Sequence, residues 1–401
     1  MQPVPLKLMT ALWIRRIEAG GWFTGVSQKG WKRGVSCSNA QRILLNCIGA
    51  AKVEGKELHC AFLDFAKAFD AVSHDVLERT MEALGLHEED RRLAMAMLRG
   101  QSRRCFTARG LSRKVRPTNG VPQGASESPT LFAWFIEPLL REINANYSDF
   151  GFTMGSGITI SVVAYADDVL LISESRAGLQ SMLDCVGDYC KWSGMAINCG
   201  KTKSATMQVN GKRGSVGLSM QDTIDGPLKE LFQLTETESY KYLGTRINSS
   251  MNCGEEVRYR LDRLKSQTAK LLLSHLSTRQ IQSTATSYLE AIHRYPGPFD
   301  VFSEADSADI DHAVDVAVRE CFRNSKCHIS ELCVRLPAKL HGLGLRRCQD
   351  MQKLDTVRLA VRHLNSSDEQ VRLSTQHLFA EMRGRHCCLL ALQDSFIVSP
   401  L

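Results

Sequence analysis

No two cysteines of this 401-residue chain stand in a Cys-x-x-Cys spacing, no segment repeats, and no tract is of low complexity. No apolar run is long enough to span a bilayer as a helix. The first absence removes the usual zinc-ribbon and zinc-finger patterns, and the second removes a repeat array. Met1 to Trp13 is apolar, but it has neither a basic leader cluster nor a small-residue cleavage site, so it is a poor signal peptide. The fourteen cysteines, among them Cys37, Cys47, Cys60 and Cys105, are spaced irregularly on a chain too long for a small disulfide scaffold. Reduced thiols in a nuclear or cytoplasmic protein are the expectation, with no membrane partner. Cys321, Cys327, His328 and Cys333 form the one cluster of metal-ligand types, and helix or core faces explain them better than zinc does.

What remains is ordinary globular composition, 43% apolar and 23% charged, with length for more than one core. The net charge of +7 fits a polyanionic partner such as nucleic acid, though only weakly.

The most informative segment is Tyr165-Ala166-Asp167-Asp168, set between the β-branched runs Ile158–Ala164 and Val169–Ile172. The runs read as strands and the four residues as a hairpin turn. Asp suits turns for its own sake. Two adjacent carboxylates also repel, and partial burial adds to the cost, which a divalent cation would relieve. Residues 57–64 alternate, with Leu58, Cys60 and Phe62 on one side and Glu57, His59 and Ala61 on the other, a strand ending at Asp64. Side by side in one sheet, Asp64, Asp167 and Asp168 would converge as a carboxylate site for Mg²⁺.

Around these segments, residues 37–54 read as a helix capped by Ser38, and Ser73 opens another that Gly85 closes. Residues 86–105 read as a helix, 106–119 as a basic loop or hairpin, and Ser128-Pro129 as the cap and first position of an apolar helix that Pro138 should kink. Residues 176–193 form a further helix and Tyr240–Ile247 a strand. From residue 255 the chain turns helical, with Val257, Leu261, Leu264, Leu271 and Leu272 on one stripe. Arg258, Arg260, Arg263, Lys265 and Lys270 make its other surfaces basic, a pattern most often just a solvated face.

Five motifs in order carry a resemblance. They are Phe62-Leu-Asp64-Phe-Ala-Lys-Ala-Phe69-Asp70, then Gly120-Val-Pro-Gln123-Gly124 with Ser128-Pro129, then Tyr165-Ala-Asp167-Asp168, then Gly194-Met-Ala-Ile-Asn198 with Lys201-Thr202, and last Tyr240-Lys-Tyr-Leu-Gly244. Each alone is weak; the ordered set resembles the reverse transcriptases of non-LTR (LINE-like) retrotransposons. The run from Asp64 to His74 is closest in style to the site-specific group that carries a restriction-like endonuclease.

The resemblance implies an α+β fold: a right-hand polymerase with partial fingers over 1–56 and a palm over 57–250. A helical thumb and post-thumb segment would cover 251–365, and 366–401 would be a tail of unknown role. Helices are expected on one face of the palm sheet. The resemblance implies two Mg²⁺ ions, with Mn²⁺ as a possible substitute, on Asp64, Asp167 and Asp168. It implies a nucleotide pocket of Phe65, Phe69, Gln123, Gly124 and Lys201, and a primer grip of Tyr242, Leu243 and Gly244. The partners would be an RNA template, a DNA primer and dNTPs. Phe69 would exclude a ribose 2′-OH, although a core Phe is as natural there, and Gly124 would admit close backbone approach. Family members begin earlier and carry an Arg where this chain has Gln2, with Lys29, Lys32 and Arg33 the nearest substitutes. No zinc knuckle or endonuclease carboxylate cluster follows residue 365. A truncated copy is therefore expected, with a catalytically impaired remnant that binds template–primer as the alternative.

Overall fold

The computed structural model describes residues 4–20, 25–102, 104–200, 202–211, 217–221, 226–274, 276–294, 302–324 and 328–383. It divides into two compact units, the first running to Thr235 and regaining the chain from Ser367, the second Glu236–Ser366. The break precedes residue 250, and the segment after 366 belongs to the first unit.

Helices α1 (Val4–Ala19) and α2 (Cys37–Glu54) precede the central strand β1 (Leu58–Asp64), followed by α3 (His74–Ala83), α4 (Glu88–Arg99) and α5 (Ser128–Asn146). The hairpin β2 (Val162–Tyr165) and β3 (Asp168–Ser173) leads into α6 (Arg176–Ser193), β4 (Ala205–Val209) and β5 (Phe232–Gln233). The strands order as β5-β4-β1-β3-β2. All pairs are antiparallel except β5 with β4.

Ala61 and Leu63 of β1, Val162 and Ala164 of β2, and Val169 and Leu171 of β3 share one buried cluster with side chains of α1 and α3–α6. The other sheet face is covered as well. Helix α2 packs on β1, β2 and β4, and the last described helix of this unit, Glu369–Arg383, packs on α2. Helices therefore lie on both faces, not one. That is why β1 is buried at every position from Leu58 to Leu63, His59 included, although its sequence alternates.

Local chemistry sets the helix ends, with some differences from the sequence reading. The α2 cap is Ser36, in a capping box with Asn39, and Ser38 lies inside the helix. Ser73 caps α3 by accepting the Val76 N–H, and Gly85 follows at φ +82°. Helix α4 is shorter than 86–105 because Gly100 ends it. Pro129 sits in the first turn of α5, but Ser128 donates its hydroxyl to the Pro122 carbonyl and does not cap. The basic stretch after α4 contains a short hairpin, Phe106–Thr107 with Gly110–Leu111. Among the described residues no helix is long and apolar enough to cross a membrane.

In the second unit, Tyr240–Ile247 is not one strand. It is a hairpin of β6 (Tyr240–Tyr242) and β7 (Thr245–Ile247). Its loop residues Leu243 (φ +48°) and Gly244 (φ +91°) are both left-handed, as a two-residue type I′ turn requires. Helix α7 (Gly254–Leu272) follows, and with α8 (Glu304–Asn324) it builds a separate apolar core around Val257, Leu264, Ile310 and Val318. Arg260 is not on the basic surface: it is buried on Glu256, one turn earlier, and its guanidinium also reaches the Ile292 carbonyl. Arg258, Arg263, Lys265 and Lys270 are exposed. Arg246 of β7 lies 4.3 Å from the Tyr259 ring centroid, and its N–H donates to Glu256, fastening the hairpin to α7.

Candidate active site

Antiparallel pairing of β1 with β3 puts Asp64 directly opposite Asp168. The two-residue loop Ala166-Asp167 joins β2 to β3, so the sheet presents all three acidic residues at one edge. The backbone of Asp64 is held from the other side. Its N–H donates to Ser204 Oγ at 3.1 Å, its carbonyl accepts the Asn198 N–H at 2.9 Å, and Phe65 bridges to Ile197.

Burial, then the charges of Asp167 and Asp64, push the Asp168 carboxyl up to about 6. Burial also raises Asp167, with the Asp64 charge adding to it. Among the described residues a nearby ammonium is Lys203, 3.5 Å from Asp64 Oδ2. This donor set is all oxygen, carries excess negative charge and is partly desolvated, which suits a hard divalent cation. Among the described residues, however, no three His, Cys, Asp or Glu side chains are already gathered as a metal cage. The convergence is one of backbone register.

The segment after Asp64 is stitched to the Gly120–Gly124 loop. The Val121 N–H donates to Phe69 O at 2.8 Å, the Gly120 N–H donates to Val72 O at 2.8 Å, and His74 Nε2 lies 2.9 Å from Gly120 O. Gly120 tolerates no Cβ there, since one would lie 3.0 Å from the Asp70 carbonyl oxygen at φ +88°. Phe69 is half-buried, stacked on Phe132 at 5.0 Å and edge-on to Trp31 at 6.1 Å. Gln123 and Gly124 are exposed and line an open cleft of about 1000 Å³, with Lys7, Asp70 and Arg104 on its walls. Gly124 is required by its φ of +82°, not by crowding, because no protein atom lies within 4 Å of where its Cβ would be.

Other expected residues are placed differently. Phe65 is buried in the apolar core beneath the sheet and does not line the cleft. Lys201 and Gln2 lie outside the described residues. Lys29 is buried against Asp368, so it is not available to a phosphate, whereas Lys32 donates to the Gly25 carbonyl. Tyr242, Leu243 and Gly244 form the β6–β7 turn of the second unit, with Tyr242 buried.

Two residues that the sequence reading passed over contribute to the first unit's site. Lys203 is one; its sequence signal is its place two residues before β4, the strand beside the one that ends at Asp64. Gln28 is the other. Its segment runs parallel to β2, the Lys29 N–H donating to Ala164 O at 2.7 Å and the Ala164 N–H to Ser27 O at 2.9 Å. Its side chain reaches the Ala166 turn.

A central antiparallel sheet with one carboxylate at a strand end and two on the adjoining hairpin is the arrangement of a polymerase palm. The family model described as "Reverse transcriptase (RNA-dependent DNA polymerase)" matches residues 2–247, and the chain belongs to that family. Retrovirus-related Pol polyproteins of R2 retrotransposable elements are similar to it. One from Nasonia vitripennis is 30% identical over 207 residues, 52% of this chain and 20% of that protein. One from Drosophila melanogaster is 29% identical over 219 residues, 54% of this chain and 20% of that protein. One from Popillia japonica is 27% identical over 208 residues, 52% and 34%. The matches span a fifth to a third of these relatives' length. A solved telomerase from Candida albicans overlays 99% of this chain and 57% of that one at 12% identity and a TM-score of 0.43.

Proposed function

We propose that the chain is the polymerase portion of a non-LTR retrotransposon reverse transcriptase, adding dNTPs to a DNA primer 3′-OH on an RNA template. The observation that carries this reading is the Asp64–Asp168 register with Asp167 on the adjoining turn. Asp64, Asp167 and Asp168 would hold two Mg²⁺ ions, or Mn²⁺ in their place. When bound, the ions activate the attacking hydroxyl and neutralise charge on the α-phosphate and the leaving pyrophosphate. Asp64, fixed through Ser204 and Asn198, gives the site a rigid side, while the hairpin supplies the other two carboxylates. Phe69, backed by Phe132, would lie under the sugar, and Gln123 and Gly124 would line the nucleotide cleft. Lys201 would stabilise charge at the pyrophosphate. Tyr242, Leu243 and Gly244 would support the primer end, and the exposed cations of α7 would hold backbone phosphates. The run from Asp64 to His74 favours the site-specific group with a restriction-like endonuclease, acting in the nucleus.

The test is primer extension on an RNA template with Asp64→Ala and Asp167→Ala. Each is expected to abolish extension and keep template–primer binding. Wild-type activity in either variant overturns the two-metal assignment. Tight binding with no extension by the unaltered chain identifies a nucleic-acid-binding module instead.

A further inference from the structure

The turn that carries Asp167 and Asp168 faces two local difficulties. Ala166 sits at φ +61°, a conformation that suits glycine and strains other residues. Asp167 and Asp168 follow it directly, with Asp64 opposite Asp168 in the sheet register, so three like charges meet at this turn. Strand pairing does not reach this point, because the β2–β3 ladder ends at Tyr165 and Asp168.

Gln28 does reach it. Its side chain is fully buried, and both amide atoms are engaged with one residue of the turn. Oε1 accepts the Ala166 N–H at 2.9 Å, and Nε2 donates to the Ala166 carbonyl at 3.3 Å. Oε1 also accepts the Gly30 N–H at 2.8 Å, which fixes the amide orientation, since the reverse would set an NH₂ against two N–H donors. Gly30 is part of the same fit: a Cβ there would lie 2.8 Å from the Ala166 nitrogen. Asn and Gln carry a neutral donor and acceptor on one planar amide, and of the two only Gln has this reach. A Glu would add negative charge beside three carboxylates and lose the donor. The backbone bonds of Ser27 and Lys29 to Ala164 secure the strand without this side chain, so the amide's own contribution falls on the turn.

We propose that Gln28 is a positioning residue for catalysis, holding the Ala166 peptide so that Asp167 and Asp168 stand in register with Asp64. This rests on the polymerase reading for its kinetic consequence, not for its structural one.

Gln28→Met keeps the side chain's length and removes both amide partners. In the full chain, single-turnover dNTP incorporation on an RNA template is expected to slow on the order of 100-fold. The dNTP concentration for half-maximal rate is expected to move less than about 3-fold, because ground-state binding is untouched. Amide hydrogen exchange at Ala166 is expected to accelerate by about 10-fold or more as its N–H loses its partner, while Leu170 and Leu171 in β3 stay protected. Gly30→Ala leaves Gln28 in the sequence but sets a Cβ against both the Ala166 nitrogen and Gln28 Oε1; it is expected to show both effects, and carries the test if Gln28→Met fails to fold. An unaltered chain that extends no primer overturns the polymerase reading, and the exchange measurement then decides the role of Gln28 alone. Unchanged Ala166 exchange in a folded variant overturns the proposal. So does protection lost evenly across the sheet, which would make Gln28 ordinary core.

Discussion

Lys29→Met is expected to be among the most destabilising single changes in the first unit. The Lys29 ammonium is 1% exposed and spends its three protons on Val26 O (2.7 Å), Asp368 Oδ1 (2.8 Å) and Gln370 Oε1 (2.9 Å). Burial pulls its pKa below the usual lysine value, and Asp368 opposes that pull without cancelling it. Such a pair contributes little net stability, since desolvation offsets the attraction. Removing one partner is another matter, because Asp368, 6% exposed, would stay buried without the ammonium bonded to it, with the Val371 N–H and the Lys32 charge left as weaker compensation. That costs about 3–5 kcal/mol. At about 2–4 °C per kcal/mol for a unit of this size, Tm falls by roughly 6–20 °C. Thermal unfolding followed by circular dichroism measures it, and limited proteolysis near residue 367 reports whether the last helix of the unit is released. The double variant Lys29→Met/Asp368→Leu removes both charges and is expected to return to within about 1 kcal/mol of wild type or better. A single-variant cost below about 1 kcal/mol, the value of an exposed pair, refutes the reasoning, as does simple additivity in the double variant.

The Asp168 carboxyl, at about 6 in the folded chain against 3.8 ordinarily, makes the folded state bind more protons between those values. Metal-free protein is therefore expected to lose stability as pH rises from about 3 to about 7, by about 3 kcal/mol in all, and to change little on this account above it. Urea midpoints across that range check it; Asp168→Asn should flatten the profile, and a midpoint that rises with pH for this group contradicts the assignment. Gly244→Ala, at φ +91°, is expected to cost about 1–2 kcal/mol of second-unit stability by denaturant unfolding. Alanine at Arg258, Arg263, Lys265 or Lys270 is expected to lower the slope of log affinity against log salt by about 1 for each phosphate no longer neutralised. Alanine at Arg260 should instead destabilise α7 and leave that slope alone, because its charge is spent on Glu256.

What the sequence disclosed was what local chemistry decides. Helix α6 runs over residues 176–193 as its periodicity indicates, and β1 ends at Asp64 where its apolar run stops. The Asp167–Asp168 hairpin was legible because Asp suits a turn and β-branched runs flank it; the ordered motifs, not the pair alone, pointed to its chemistry. The β6–β7 turn was not, since Leu-Gly is a poor match to the Asn-Gly and Asp-Gly pairs that advertise type I′ turns. Arg260 had a signal that charge counting ignores: Glu256 lies four residues earlier on the same helix face.

The site's supporting parts were hidden for a different reason. Gln28 meets Ala166 across 138 residues, and Lys29 meets Asp368 across 339. Neither polar residue sits in a pattern whose period or composition marks it, because its value depends on a partner that only the fold supplies. The two are also adjacent on one segment. Lys29 anchors that segment to the chain's last described helix, while Gln28 ties the same segment to the Ala166–Asp167 turn. A motif search finds the carboxylates because their chemistry is their own. The residues that hold them in register are ordinary in sequence, and what they hold is a strained peptide between charges that repel.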